Sequence, residues 1–372
     1  MTRNIKEIEA GSLIVGELPE GCKRCAEGSK MVLFVTGLCD SHCFYCPLSM
    51  EKKNQDVVFA DEMPVQNESD ILYELKAIGA KGAGISGGDP LYKLDRTVRY
   101  IELMKNEMGP DFHIHLYTAK SDIAFDSLAR LKSTGLDEIR FHPQYDDWSG
   151  IYSALEFDWR VGLEVPAIPN EEHNLINLAQ RAEECGVHFM NINELEASES
   201  NFSKLVSLGF RLTSLDAASI EESETIAKEV LSWGASNLHN LSLHYCSARF
   251  KDSVQMCNRL ERRLERTIRP FEERDKNEPL VILGIVRAKH GSHLSSEQLE
   301  SIWQILVDSY EVPNDLCNLN IARDRIELAP WVLVELAGEL RTELSEQISS
   351  LEIGIAYEYP SCDRLQTQFI PV

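Results

Sequence analysis

The sequence lacks the features that would place it in or beyond a membrane. Its 372 residues contain no run of about 18 apolar residues, the length a membrane-spanning helix requires. The opening residues, Met1-Thr-Arg-Asn-Ile-Lys-Glu-Ile-Glu, hold no apolar segment of the kind that directs export, so a cytoplasmic protein is expected. Positive charge is scarce: 37 Lys and Arg stand against 60 Asp and Glu, a net charge of −23. That balance argues against a general binder of phosphate backbones, whose affinity comes from basic side chains. Internal repeats and low-complexity tracts are absent too. What is present is enough apolar sequence, 43%, for a substantial core. The chain also carries ten cysteines, which without an export signal point to reduced thiols and metal ligation, not disulfides.

Three of those cysteines fall within eight residues, Cys39-Asp-Ser-His-Cys43-Phe-Tyr-Cys46. They follow an apolar run, Met31 to Thr36, and the turn-forming Gly37. Three thiolates on one loop can hold three corners of an iron–sulfur cube, leaving one iron without a protein ligand, whereas iron–sulfur clusters are normally held by four cysteines. An open metal position is where a substrate or cofactor binds. Zinc is the competing reading, with His42 enlisted as a fourth ligand. A structural zinc site, however, usually pairs two distant knuckles.

The CxxxCxxC spacing after a first strand, with an aromatic residue before the last cysteine, resembles the radical S-adenosylmethionine (SAM) superfamily. A second element strengthens the likeness: the strand-like Gly82-Ala-Gly-Ile-Ser86 runs into Gly87-Gly88-Asp89-Pro90. This is similar to the family's GGEP turn, whose backbone meets the methionyl amino group of SAM, with Asp in place of Glu. Independently of the family, two glycines permit close backbone approach, and Pro90 fixes the exit.

Apolar runs alternate with helical patterns from residue 31 onward, the signature of βα units and a parallel sheet. The patterns predict strands near 31–36, 82–86, 112–118, 137–142, 161–168 and 187–193. Helices are predicted at 69–80, 95–106, 123–133, 152–158, 173–185 and 199–207. Six such units resemble the partial (β/α)6 TIM-type barrel of radical SAM enzymes. Phe210–Thr213 and Leu238–His244 are candidates to extend it towards eight strands.

A restart in the pattern predicts a small C-terminal α/β sandwich. Strands are expected at Pro279–Ala288, Ile326–Leu328, Leu351–Tyr359 and Gln366–Pro371, and helices at Ser295–Tyr310 and Trp331–Gln347. The expected division is an N-terminal segment (1–30), a barrel (31–248), a charged helical linker (249–278) and a C-terminal α/β domain (279–372). Arg249 to Lys276 contains nine basic residues, but interleaved Glu261, Glu265, Glu272 and Glu273 favour a solvated, ion-paired helix face over a nucleic-acid surface.

Polar residues gather on the candidate strands: His113, His115 and Tyr117, then Arg140 and His142, then Glu164, then Asn191, Asn193, Glu194 and Glu196. In barrels of this type functional groups collect at the C-terminal strand ends, and four consecutive strands so equipped suggest a ligand cavity. The family resemblance makes Arg140, Glu164 and Asn193 candidates for the ribose and carboxylate of SAM, beside Ser86, Gly87, Gly88 and Asp89. It also places Tyr45 beside the adenine.

Another pair, Cys22-Lys-Arg-Cys25, precedes the first strand; a CxxC can be a redox pair or half a metal site. First and last strands of a barrel-like sheet can lie close. Cys246 and Cys257 therefore join Cys22 and Cys25 as an expected auxiliary site for iron–sulfur or zinc, with His244 as substitute ligand. Buried thiols acting as small hydrophobes are the alternative.

The resemblance implies an enzyme whose [4Fe–4S] cluster on Cys39, Cys43 and Cys46 binds SAM, cleaves it reductively and initiates hydrogen abstraction. The substrate class expected is a peptide, a cofactor precursor or an RNA base. It implies a one-electron reductant such as ferredoxin or flavodoxin, and an anaerobic host. Within the family the motifs are most similar to relatives of the pyruvate formate-lyase activating enzyme, so a glycyl-radical-enzyme activase is the alternative. A non-catalytic iron–sulfur electron carrier is the rival from another class, and it would have no use for the Gly87-Gly88 turn.

Overall fold

A computed structural model describes residues 2–289, 291–345 and 351–372. The chain divides into two compact units, Met1–Arg259 and Leu260–Val372. No helix among the described residues is long and apolar enough to cross a membrane.

The first unit is built on seven parallel strands: β1 (Lys30–Phe34), β2 (Gly82–Ser86), β3 (His113–Thr118), β4 (Glu138–Phe141), β5 (Arg160–Ala167), β6 (Phe189–Glu194) and β7 (Ser242–Cys246). They lie in sequence order across the sheet, each hydrogen-bonded to the next. This is the α/β, partial TIM-type barrel. The barrel stays open, and short antiparallel strands cover both edges: Phe59–Ala60 pairs with β1, and Leu13–Val15 pairs with β7. Pairing those edges removes the unsatisfied backbone groups that make free edges a hazard.

Helices return between the strands: α2 (Glu68–Ala77), α3 (Leu94–Met108), α4 (Phe125–Ser133), α5 (Ser149–Ala154), α6 (Glu172–Cys185), α7 (Phe202–Ser207) and α8 (Ser223–Asn237). Helix α2 starts on a reciprocal cap: Asn67 Oδ1 accepts from Ser69 N and Asp70 accepts from Asn67 N, each at 3.0 Å. Such a cap satisfies donors that a helix start leaves unpaired.

Sequence and structure part in several places. Phe210–Thr213 is not a strand; only an isolated bridge joins Leu212 to Ile220. Phe210 is drawn instead onto Phe44 of the cysteine motif, ring on ring at 5.9 Å. The seventh strand begins at Ser242, not Leu238, because α8 occupies the chain to Asn237. Helix α8 itself has no counterpart among the expected elements, and α5 lies earlier than the 152–158 pattern indicates. The stretch expected as a charged helical linker is helical from Ala248 to Thr267, but the division between units falls inside it, not at its ends.

An N-terminal helix, α1 (Glu20–Ala26), carries Cys22 and Cys25. It packs on the barrel interior through Gly21, where a Cβ would lie 2.6 Å from both Arg140 Nη2 and His115 Nδ1. A side chain there would displace the buried arginine, so only glycine allows the approach.

The second unit is a six-stranded antiparallel sheet: Cys317–Asn320, Arg325–Leu328, Val281–Ala288, Leu351–Glu358 and Gln366–Pro371 lie in that order, and Glu273–Arg274 pairs at one end of Val281–Ala288. Helices Ser296–Gln304 and Pro330–Ser345 share its core, with Leu283, Ile285, Ile326, Leu333 and Leu340 all buried. Strand Cys317–Asn320 has no counterpart in the sequence patterns, and the expected helix end at Gln347 lies outside the described residues. Arginines of the basic stretch are engaged by acids: Arg259 with Asp61 at 2.9 Å, Arg269 with Glu327 at 2.5 Å, and Arg274 with Glu261.

Buried Glu327 makes this unit acid-sensitive. Burial alone would raise its carboxyl, but Arg325 and Arg269 prevail and hold it down at about 2. A depressed folded value means the stabilisation is complete above the unfolded value of about 4.3 and drains away as pH falls towards 2. Acid unfolding followed by circular dichroism is expected to show a stability loss across that window, blunted in Glu327→Gln.

Candidate active site: a cysteine loop above a polar cavity

The cysteine loop leaves the end of β1 and is stitched to the glycine turn that ends β2. Gly88 N donates to Thr36 O at 2.7 Å, and Asp89 N donates to Leu38 O at 2.9 Å. A Cβ on Gly88 would come within 2.5 Å of Leu38 O and 2.6 Å of Gly37 O. Those are backbone atoms, so a side chain there must push the cysteine loop aside. Gly88→Ala is therefore expected to destabilise the loop by about 1–3 kcal/mol. Iron retained per chain after anaerobic reconstitution, compared with wild type, is the check.

The far side of the loop is held as firmly. Tyr45 OH lies 2.6 Å from His142 Nε2, and His142 Nδ1 lies 2.9 Å from the carbonyl oxygen of Glu164. A carbonyl can only accept, so Nδ1 carries the proton and Nε2 accepts from the tyrosine. Burial pushes the imidazole below its ordinary value, which keeps it neutral and the arrangement intact. Asn201 Nδ2 donates to Tyr45 O at 2.9 Å, and the Cys43 thiol donates to Gln144 Oε1 at 3.5 Å. His142 is the residue whose role the sequence does not disclose: it clamps the loop to the strand ends.

Beneath the loop lies a cavity of about 750 Å³. Residues from all seven strands or their ends reach it, among them Lys30, Ser86, Tyr117, Arg140, Glu164, Asn191 and His244, so the sheet curls around one space. Cys39, Cys43 and Cys46 face it together. Burial, then the nearby Cys46 and Cys39, push the Cys43 thiol up. Crowded thiols resist ionising side by side, and a bound metal cluster removes that repulsion. The donor set fits a [4Fe–4S] cluster held by three cysteines.

Of the residues expected to meet SAM, Tyr45, Ser86, Gly87, Gly88, Arg140, Glu164 and Asn193 line this cavity. Asp89 does not. It is buried, and its carboxylate accepts from Leu91 N at 2.9 Å and from Thr118 Oγ1 and Ala119 N at 2.8 Å each. Its side chain secures the turn against β3, because a shorter acid in that place is consumed by local donors. Glu164 is a hub, accepting from Arg140 Nη1 at 3.0 Å and from Asn191 and Asn193 Nδ2 at 2.8 Å each. Burial works to raise its carboxyl, but Arg140 and the two amides hold it below the ordinary range.

The histidines of β3 sit deeper than the cavity. His113 and His115 are buried, with His113 Nε2 3.9 Å from Glu138 Oε2, and only Tyr117 of that trio reaches the lining. Cys22, Cys25 and Cys246 do line it, whereas Cys257 starts the helix Cys257–Thr267 and is not part of the lining.

Residues 33–153 match the family described as the Radical SAM superfamily, and residues 280–372 match a domain of unknown function, DUF8061. A protein of Methanocaldococcus jannaschii with the provisional name glycyl-radical enzyme activating enzyme is 34% identical, covering 96% of this chain and 93% of its own. Among solved structures, Streptococcus suis SuiB bound to S-adenosylmethionine is 12% identical over 59% of this chain and 50% of that chain, with a TM-score of 0.41. Coproporphyrinogen III oxidase (HemN) from Escherichia coli is 14% identical over 58% and 56%, with a TM-score of 0.36.

Proposed function

Because this chain belongs to the radical SAM superfamily, we propose that it cleaves SAM reductively and takes a hydrogen atom from a substrate held in the cavity under the cysteine loop. The observation that carries the reading is the loop–turn unit: three thiols and the Gly87-Gly88 backbone, stitched together and facing one 750 Å³ space. Cys39, Cys43 and Cys46 would hold the [4Fe–4S] cluster. When bound, cluster and SAM together supply the one-electron chemistry, and the protein's part is binding and orientation.

Gly87 and Gly88 bring backbone close to the ligand's amino end. Arg140, Glu164 and Asn193 form a pre-tied polar wall, so their donors and acceptors need no rearrangement when a ligand arrives. Tyr45, fixed by His142, supplies a flat face beside the loop. A one-electron donor of the ferredoxin or flavodoxin kind completes the system. Anaerobically reconstituted protein with a reductant is expected to turn SAM into 5′-deoxyadenosine. A fully loaded cluster that yields none would refute the reading.

The second reading is an activase that makes a glycyl radical on a partner protein, favoured by the name of the 34% identical relative. It requires a partner loop to enter the cavity, and it predicts a glycyl electron-spin-resonance signal on that partner. Failing that signal, a peptide or cofactor precursor is the better substrate class. RNA is disfavoured by the net charge of −23 and by the acid partners of the basic stretch.

A further inference from the structure

The cavity has a second set of metal-binding side chains that the SAM reading leaves unused. Cys22 and Cys25 reach it from α1, and Cys246 and His244 reach it from β7. The first two are one helical turn apart; the second two are two residues apart and so on one face of the strand. Asn191, paired beside His244 across the sheet, joins the two groups. Its Nδ2 donates to Cys22 Sγ at 3.2 Å, and its Oδ1 lies 3.3 Å from His244 Nδ1. The oxygen can only accept, so His244 carries its proton on Nδ1 and offers a bare Nε2. That nitrogen is buried and has no hydrogen-bond partner. A neighbour that fixes the tautomer and leaves the other nitrogen free is the usual support for a metal-bound histidine.

Each thiol also has a cation beside it. Arg140 stands near Cys22, Lys30 near Cys25, and Lys251 near Cys246. Gln255 Nε2 lies 3.6 Å from Cys246 Sγ. Arg140 also pairs with Glu138 and Glu164, and Lys251 with Glu196; all three cations are placed to offset charge on metal-bound thiolates.

Spacing decides what kind of metal. A zinc ion with bonds of about 2.3 Å draws tetrahedral donors to within about 3.8 Å of one another. Among the described residues, the one group of three such donors mutually within 4.8 Å is His113, His115 and Glu138. Neither Cys22, Cys25, Cys246 and His244 nor Cys39, Cys43 and Cys46 form such a compact group. Ligands at the corners of a cube stand farther apart than ligands around one ion.

We propose that Cys22, Cys25 and Cys246 hold a second iron–sulfur cluster on the cavity floor, with His244 Nε2 as its fourth ligand. Four protein ligands close this cluster, so it does not compete with the first for SAM.

The test is metal content and spectroscopy of the full chain, reconstituted anaerobically. Wild type is expected to hold about eight irons, and the variant with Cys39, Cys43 and Cys46 all changed to alanine about four. Adding Cys22→Ser and Cys25→Ser to that variant should remove the rest. His244→Cys, an all-thiolate set, should keep the iron but lower the reduction potential of the remaining cluster. About four irons in wild type, or zinc in place of the second set, overturns the proposal. So does unchanged iron in Cys22→Ser/Cys25→Ser. Absence of SAM cleavage with eight irons in place would count against the proposed function and leave this site standing.

Discussion

Cys43→Ala is expected to end SAM cleavage, lowering 5′-deoxyadenosine formation by at least about three orders of magnitude, because a cluster anchored at three points cannot be held in register by two. The fold should survive the change. The loop is fastened by backbone bonds from Gly88 and Asp89, by the Tyr45–His142 pair and by the Phe44–Phe210 stack, and none of these uses the Cys43 side chain. That side chain meets Gln144 at a long 3.5 Å and also lies against Tyr45, and a weak thiol donor makes its removal cheap. Thermal melting of the variant without metal should match wild type without metal. Iron should fall by the content of one cluster, about four per chain. His42→Ala separates the cluster from zinc: loss of metal in that variant would favour a Cys3His zinc site, and retained iron with retained cleavage excludes it.

The cysteine triplet is legible in the sequence because its ligands lie within one loop, where spacing in sequence is spacing in space. The glycine turn is legible for the same reason, and the parallel sheet because alternation of patterns is a local signal. What escapes depends on contacts between distant residues. His142 looks like one more polar strand residue until Tyr45, 97 positions away, is seen to rest on it. Asp89 reads as a ligand contact in a borrowed motif, yet Thr118 and Ala119 claim its carboxylate. Phe210 has the apolar neighbours of a strand, but its ring is needed under Phe44. Helix α8 is hidden between two stretches that look like short strands, although Ile226, Ala227, Val230 and Leu231 recur at helical spacing and are buried. Lys30 and Lys251, each beside a cysteine of the CxxC–Cys246 group, find their place only once the sheet has curled.

Arg140→Met should produce the largest loss of stability in the first unit. Arg140 is 2% exposed and bonds Glu138 Oε1 through Nε at 2.6 Å and Glu164 Oε2 through Nη1 at 3.0 Å. Methionine can occupy much of the volume between the Tyr117 and Phe189 rings, against which the guanidinium lies at 5.3 and 5.2 Å. The lost charge is the decisive factor, because it leaves fully buried Glu138 and partly buried Glu164 without their cation. Breaking a buried pair from one side costs about 3–5 kcal/mol. For a unit of this size that is a fall in Tm of about 6–20 °C.

The pH dependence identifies the cause. In the native protein Glu164 sits below its ordinary value, so its contribution is present above the unfolded value of about 4.3 and is lost as pH falls through the lower folded value. Without Arg140, burial is opposed only by the two amides and the more distant Lys30, and the carboxyl rises. The ionised form is then the penalised one. The variant's deficit should be largest at neutral pH and above, and should shrink as acid protonates the carboxyl. Adding Glu138→Gln, which removes one of the stranded charges, should recover part of the deficit at mildly alkaline pH and less of it in mild acid. A deficit independent of pH, unchanged by Glu138→Gln, would assign the loss to packing and take away the electrostatic role given to Arg140.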